Sequence, residues 1–219
     1  MRINACSGGR LMENVFYTPA KSIQITNKVK DSKFYGSISR ADSEEEVQKF
    51  IIKIKDMYYD ATHNVSAYIL GSGDGALKYS DDDGEPAGSS GPPVLQAIEG
   101  ESLSNTVIVV TRYFGGTKLG IGGLIRAYGE TARLVIKTAG RLKLTLYFEI
   151  EIKIGYQLLG TVKGQVEAYH AEIIATEYTN QGVKIIILSK PTKSEGLHKT
   201  LIEKTGNKVI YQVTGYKYK

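Results

Sequence analysis

Two stretches carry side chains whose types and spacing could do chemistry. Asp81, Asp82, Asp83 and Glu85 place four carboxylates within five residues, with Gly84 among them and Pro86 after. Carboxylates this close repel unless a cation or hydrogen-bond donors neutralise them, so Mg²⁺ or Ca²⁺ is one candidate occupant. The spacing is not that of an EF-hand loop, because Glu85 comes too early and the later ligands are missing. The alternatives are a solvated or backbone-capping turn, with Asp83-Gly84 at a positive-φ position, and pairing with Arg112 or Arg126. The second stretch holds Gly115, Gly116, Gly120, Gly122 and Gly123, five glycines in nine residues. Glycine loses the most backbone freedom on folding, so such a loop needs positive φ angles or a surface that comes very close.

The glycine loop invites a phosphate reading. Walker A fails, because Lys118 sits in Gly116-Thr117-Lys118-Leu119-Gly120. The dinucleotide fingerprint fails too, with Ile125 where a third glycine or alanine belongs. A more general property survives: exposed backbone N–H groups run into a helix N-terminus beside Lys118 and Arg126, which makes an anion site. Six basic residues face one acid, Glu130, between Arg112 and Arg141. The expected binding set is Arg112, Tyr113, Gly115, Gly116, Lys118, Gly120, Gly122, Gly123 and Arg126. His63, Asp82, Asp83 and Glu85 are candidates for support or for a metal. The bland alternative is a tight strand-to-helix connection whose glycines solve a steric problem.

A catalytic set does not assemble. His63 precedes a strand and can hydrogen-bond the acidic turn or the Arg112 region; His170 and His198 are distant and have no matching partners. Cys6, in a loose terminus, is a poor nucleophile. No nucleophile–base–acid trio is visible, so the expectation is a non-enzymatic protein without cofactor or bound metal, the alternative being a metal- or nucleotide-dependent enzyme that uses Asp82, Asp83, Glu85 and His63. Tyr211, Tyr216 and Tyr218 interleave with Lys208, Lys217 and Lys219, a pattern that can stack bases or serve as ordinary strand residues.

The elements that position these residues read as follows. Strands are expected at 22–30, 33–39, 65–70 and 106–113, with 77–79 pairing back on the third. Ser43 and Glu46 form a capping box before an amphipathic helix carrying Val47, Phe50, Ile51 and Ile54. Pro92-Pro93 opens a short helix at 94–99. A second long helix spans 122–138 with Ile125, Tyr128, Ala132 and Val135/Ile136 as its stripe, and Gly140 stops it. This mixed order predicts α+β with the helices on one face. Beyond Gly140, strand 142–154 alternates, followed by helix 156–170, hairpin 171–189, helix 194–205 and strand 209–216. That βαββαβ order in residues 141–219 is the split βαβ, ferredoxin-like arrangement. The domains are thus a flexible segment at 1–17, a first domain at 18–140 and a second at 141–219; either Met1 or Met12 serves as the start.

Residues Ser80 to Gly91, Thr111-Arg112-Tyr113-Phe114-Gly115-Gly116, Leu119-Gly120, Gly122-Gly123-Leu124 and Arg126-Ala127-Tyr128-Gly129 carry a resemblance to the IMPACT/YigZ family. Lys33-Phe34 and Ala61-Thr62-His63-Asn64 add to it. The resemblance covers most of residues 20–140. It implies a first domain like the second domain of a small-subunit ribosomal protein and domain IV of elongation factor G, with an unusual left-handed crossover. It also implies a translation-linked role. Bacterial members are described as binders of nucleic acid or ribosome, and eukaryotic members as regulators through protein contacts.

Composition bounds the rest. At 219 residues, 42% hydrophobic and 23% charged, the chain reads as an ordinary globular protein. One cysteine cannot form an internal disulfide, which fits a reducing, cytoplasmic setting. No apolar run approaches the about 18 residues of a membrane span. Charge is uneven: residues 1–140 hold 16 basic and 16 acidic side chains, and 141–219 hold 12 and 7. A basic second domain suits RNA, a ribosome or an acidic protein partner.

Overall fold

The computed structural model describes residues 14–219. It divides into two units, one ending at residue 143 and one spanning 144–219. Cys6 and most of the terminal segment expected to be loose lie outside the described residues. Strand β1 (Val15–Pro19) begins at the end of that segment and runs into the first domain.

The apolar run Val107 to Val110 explains the first unit. It lies in β6 (Thr106–Tyr113), where Val107, Ile108, Val109 and Val110 are all fully buried. A strand buried on both faces reads as continuous rather than alternating. Around it stand β2 (Ile23–Val29), β3 (Ser32–Arg40), β4 (His63–Leu70) and β5 (Leu77–Asp81), in the order β2-β3-β6-β4-β5 with every neighbour antiparallel.

Helices cover both faces, which corrects the one-face expectation. Helix α1 (Glu44–Met57) packs Val47, Ile51 and Ile54 with Val107 and Val109. On the other side, α2 (Gly91–Gly100) and α3 (Ile121–Ala139) pack Val94, Ile98, Tyr128, Val135 and Ile136 with Ile108 and Val110. The α3 stripe holds Tyr128, Ala132, Val135 and Ile136 as expected, but at its start Leu124 is buried and Ile125 is exposed. The cap of α1 also differs in detail. Ser43 Oγ accepts from the Glu46 amide, but Glu46 returns to the amide of Asp42, one residue before the cap.

The second unit begins inside β7 (Arg141–Ile154), where Leu144, Leu146, Phe148, Ile150, Ile152 and Ile154 are buried as the alternation requires. Then come α4 (Leu159–Ala168), β8 (Glu172–Thr179), β9 (Gly182–Ser189), α5 (Pro191–Thr205) and β10 (Ile210–Tyr218). Within this unit the strands run β10-β7-β9-β8, each pair antiparallel. Val162 and Val166 of α4, and Leu197 and Leu201 of α5, are buried. The chain is thus mixed α+β, with five α-helices among the described residues. None of its described helices is long and apolar enough to cross a membrane.

Candidate functional site

Arg112 sits near the end of β6, on the same side as Ile108 and Val110, because strand side chains alternate. It therefore points inward and is only 5% exposed. Its Nη1 donates to Oε1 of Glu85 at 2.6 Å, and Glu85 is 8% exposed. The Tyr128 hydroxyl of α3 donates to the same oxygen at 2.8 Å. Ser32 accepts a longer bond from Nη2 at 3.4 Å, while Nε is buried with no partner among the described residues. The guanidinium lies between two rings, 5.7 Å from the centre of Phe34 and 5.4 Å from that of Phe114. Burial, then the charge of Glu85 and the hydrogen bond to it, push the Tyr128 phenol far above its ordinary range, so it stays a donor. Arg112 was expected on the binding surface; it is instead an internal ion-pair partner.

Tyr113, one residue on, faces the opposite side of the sheet. Its ring packs edge-on to Tyr35 and Tyr58, and its hydroxyl donates to Asp60 at 2.5 Å. It therefore does not join Arg112.

The acidic turn splits into separate roles. Asp82 accepts from the amides of Gly88, Ser90 and Gly91 and from the Ser90 hydroxyl, so it caps the start of α2 from outside the helix. Burial works against its charge, but the Ser90 hydroxyl and the three amides together hold its carboxyl below the ordinary value. Asp83 accepts from Lys55 Nζ and the Asn64 amide, both at 2.7 Å. Asp83 and Gly84 both adopt positive φ. Asp81 accepts from the Asp83 amide. No group of three or more His, Cys, Asp or Glu residues converges in metal-binding geometry among the described residues.

His63 begins β4 and meets this turn. Its Nδ1 lies 2.7 Å from the Asp83 carbonyl oxygen, and its Nε2 lies 3.8 Å from Oε2 of Glu85. The two side chains open on a pocket of about 380 Å³. Its lining also includes Arg112, Pro86, Phe114, Lys118, Leu119, Gly120 and Leu124.

The glycine loop itself faces outward: Gly115, Gly116, Lys118, Gly120, Gly122 and Arg126 are exposed and Gly123 is half-buried. Gly115 is required by proximity, since a Cβ there would come within 2.0 Å of the Asp31 carbonyl oxygen. Gly120 caps α3 with φ 74° and ψ 164°, a region essentially closed to other residues. Arg133 and Lys137 continue an exposed basic stripe from Arg126 along α3, with Glu130 between Arg126 and Arg133. Lys118, Arg126, Arg133 and Lys137 form no ion pair among the described residues. Sequence reading passed over Tyr128, Lys55 and Ser90 as site residues. Tyr128 is hidden because its helical spacing marks it as core; its hydroxyl was the signal that it needs a buried acceptor.

Residues 30–136 match the Impact N-terminal domain. The chain is 41% identical over 138 residues to the IMPACT family member YvyE of Bacillus subtilis, covering 63% of each chain. It is 30% identical over 202 residues to an IMPACT family member of Haemophilus influenzae, covering 90% of this chain and 96% of the relative. A solved crystal structure of a hypothetical protein superposes with a TM-score of 0.66 at 24% identity, over 92% of this chain and 98% of that one, and so shares the fold. With its glycine loop and acidic turn inside the matched domain, and near full-length similarity to such a relative, the chain belongs to the IMPACT family.

Proposed function

We propose that this protein is a non-enzymatic, translation-associated regulator that binds RNA or the ribosome through phosphate contacts. The observation that carries this reading is the outward glycine loop running into the exposed, unpaired cations Lys118, Arg126, Arg133 and Lys137. Phosphates gain from such cations, from the loop amides and from the positive end of α3. Arg112 has no part in the surface. Its charge is internally compensated, so three of the four contacting cations come from α3.

The first unit is read as like the second domain of a small-subunit ribosomal protein, and the second as ferredoxin-like. The βαββαβ order and the strand sequence β10-β7-β9-β8 support the latter. The setting is cytoplasmic, supported by the single cysteine.

The test is a titration of single-stranded RNA at two salt concentrations. Each phosphate contact removed should lower the salt slope by about 1. The triple variant Arg126→Glu, Arg133→Glu, Lys137→Glu should bind weakly and with a flatter slope. Salt-independent binding, or a variant equal to the wild type, would overturn the reading.

A protein partner is the second reading. Ile121, Ile125 and Leu134 are exposed among the α3 cations, which suits a mixed apolar and basic docking face. Capture that survives nuclease treatment would favour it.

A further inference from the structure

The lining of the 380 Å³ pocket includes two side-chain acceptors, on His63 and Glu85, beside the guanidinium of Arg112. The Asp83 carbonyl can only accept, so the hydrogen of His63 sits on Nδ1 in their 2.7 Å contact. In its neutral form the ring then turns its Nε2 lone pair toward Glu85. Oε1 of Glu85 is taken by Arg112 and Tyr128, and Oε2 accepts no hydrogen bond among the described residues. The two acceptors, Nε2 and Oε2, stand 3.8 Å apart. Arg112 already balances the charge of Glu85. These two acceptors therefore ask for neutral N–H donors rather than for a cation.

The rest of the lining adds two further requirements. Pro86, Phe114, Leu119 and Leu124 are apolar, so the body of the ligand is apolar or flat and aromatic. Lys118 and the start of α3, also in the lining, favour an anionic end.

We propose that this pocket binds one nucleotide and reads its base, with the base edge donating to Glu85 Oε2 and His63 Nε2 and the phosphate lying at Lys118. The proposal rests on the phosphate-binding reading of the same loop and adds the ligand. Guanine fits best, because its Watson–Crick edge carries adjacent N–H donors. Adenine and cytosine carry one amino group each. Uracil fits worst: its single N–H stands between two carbonyls, which would face two acceptors. The nucleotide is either free or extruded from an RNA strand, and the chemistry at the two acceptors is the same for both.

The test uses the full chain, labelled for NMR, with the four nucleoside 5′-monophosphates as probes. Guanosine monophosphate should shift the His63 ring signals and the amides of residues 119–124. It should bind at least about tenfold more tightly than uridine monophosphate, the ratio expected for one lost charge-assisted hydrogen bond. Lys118→Ala, an exposed change that leaves the fold alone, should weaken the monophosphate and leave guanosine unaffected. A guanine-containing RNA pentamer, added with and without saturating guanosine monophosphate, separates the sources. Displacement by the nucleotide assigns the pocket to RNA. Nucleotide binding without RNA binding keeps the pocket, makes its ligand a free nucleotide, and removes the surface reading. RNA binding that is indifferent to the nucleotide and to base identity keeps the surface and overturns the pocket. Nucleotide binding without base preference, or no movement of His63, also overturns it.

Discussion

Arg112 and Glu85 are joined by a 2.6 Å bond while both are more than nine-tenths buried. A charge left alone there has no water to turn to. Glu85→Ala should therefore lower the free energy of unfolding by about 3–5 kcal/mol, read by urea denaturation. Tyr128→Phe removes one bond to the same carboxylate and should cost less, about 1.5–3 kcal/mol. Replacing both charges, as Arg112→Met with Glu85→Leu, should recover much of the single-variant loss. Equal losses in the single and double variants would contradict the pairing.

Asp82 acts as a cap supplied from a distance. Asp82→Ala should destabilise by about 1–2 kcal/mol, as loss of a helix cap does. Its carboxyl titrates below the ordinary 3.8 in the folded chain. A depressed native value means the contribution is present above 3.8 and is lost as pH falls through the lower native value. Asp82→Asn should thus flatten the acid limb of the stability curve. A limb as steep as that of the wild type would argue against the cap.

Tyr113 should titrate late. The hydrogen bond to Asp60 first, then burial and the carboxylate charge, push its phenol up to about 12. Asp60→Ala should bring it back toward 10, followed by the ring carbon signal in a selectively labelled sample. An unmoved signal would show that Asp60 is not the cause.

Two glycines should fail for different reasons. Gly120→Ala places a Cβ in a backbone region that costs about 1–3 kcal/mol, with nothing nearby to clash. Gly115→Ala meets the Asp31 carbonyl instead, so the loop must move. Thermal melting should fall in both. Only Gly115→Ala should also disturb the Thr117–Asp31 hydrogen bond, visible as shifts at both residues. Similar spectra for the two variants would remove the distinction.

Much of the architecture was legible from periodicity. Even-numbered residues of β7 from Leu144 to Ile154 alternate, and those six are the buried ones. Ser43 and Glu46 marked the start of α1. The one-face expectation failed because Val107 to Val110 is an unbroken apolar run, which calls for cover on both sides. Arg112 shares the parity of Ile108 and Val110 in β6, so its inward direction was also written in the strand. Charge and the neighbouring glycines drew attention to the outer surface instead.

The sequence by itself determined the elements, their order, the glycine loop and the clustering of carboxylates, because propensity, alternation and turn chemistry act over a few residues. Tertiary structure alone decided where each carboxylate went. Asp82 meets amides six to nine residues away, Glu85 meets Arg112 across 27 positions, and Tyr128 closes the triad from 43 away. Strand parity can say that a charged group points inward, but which partner it meets depends on which strands and helices become neighbours. That is set by burial over the whole sheet.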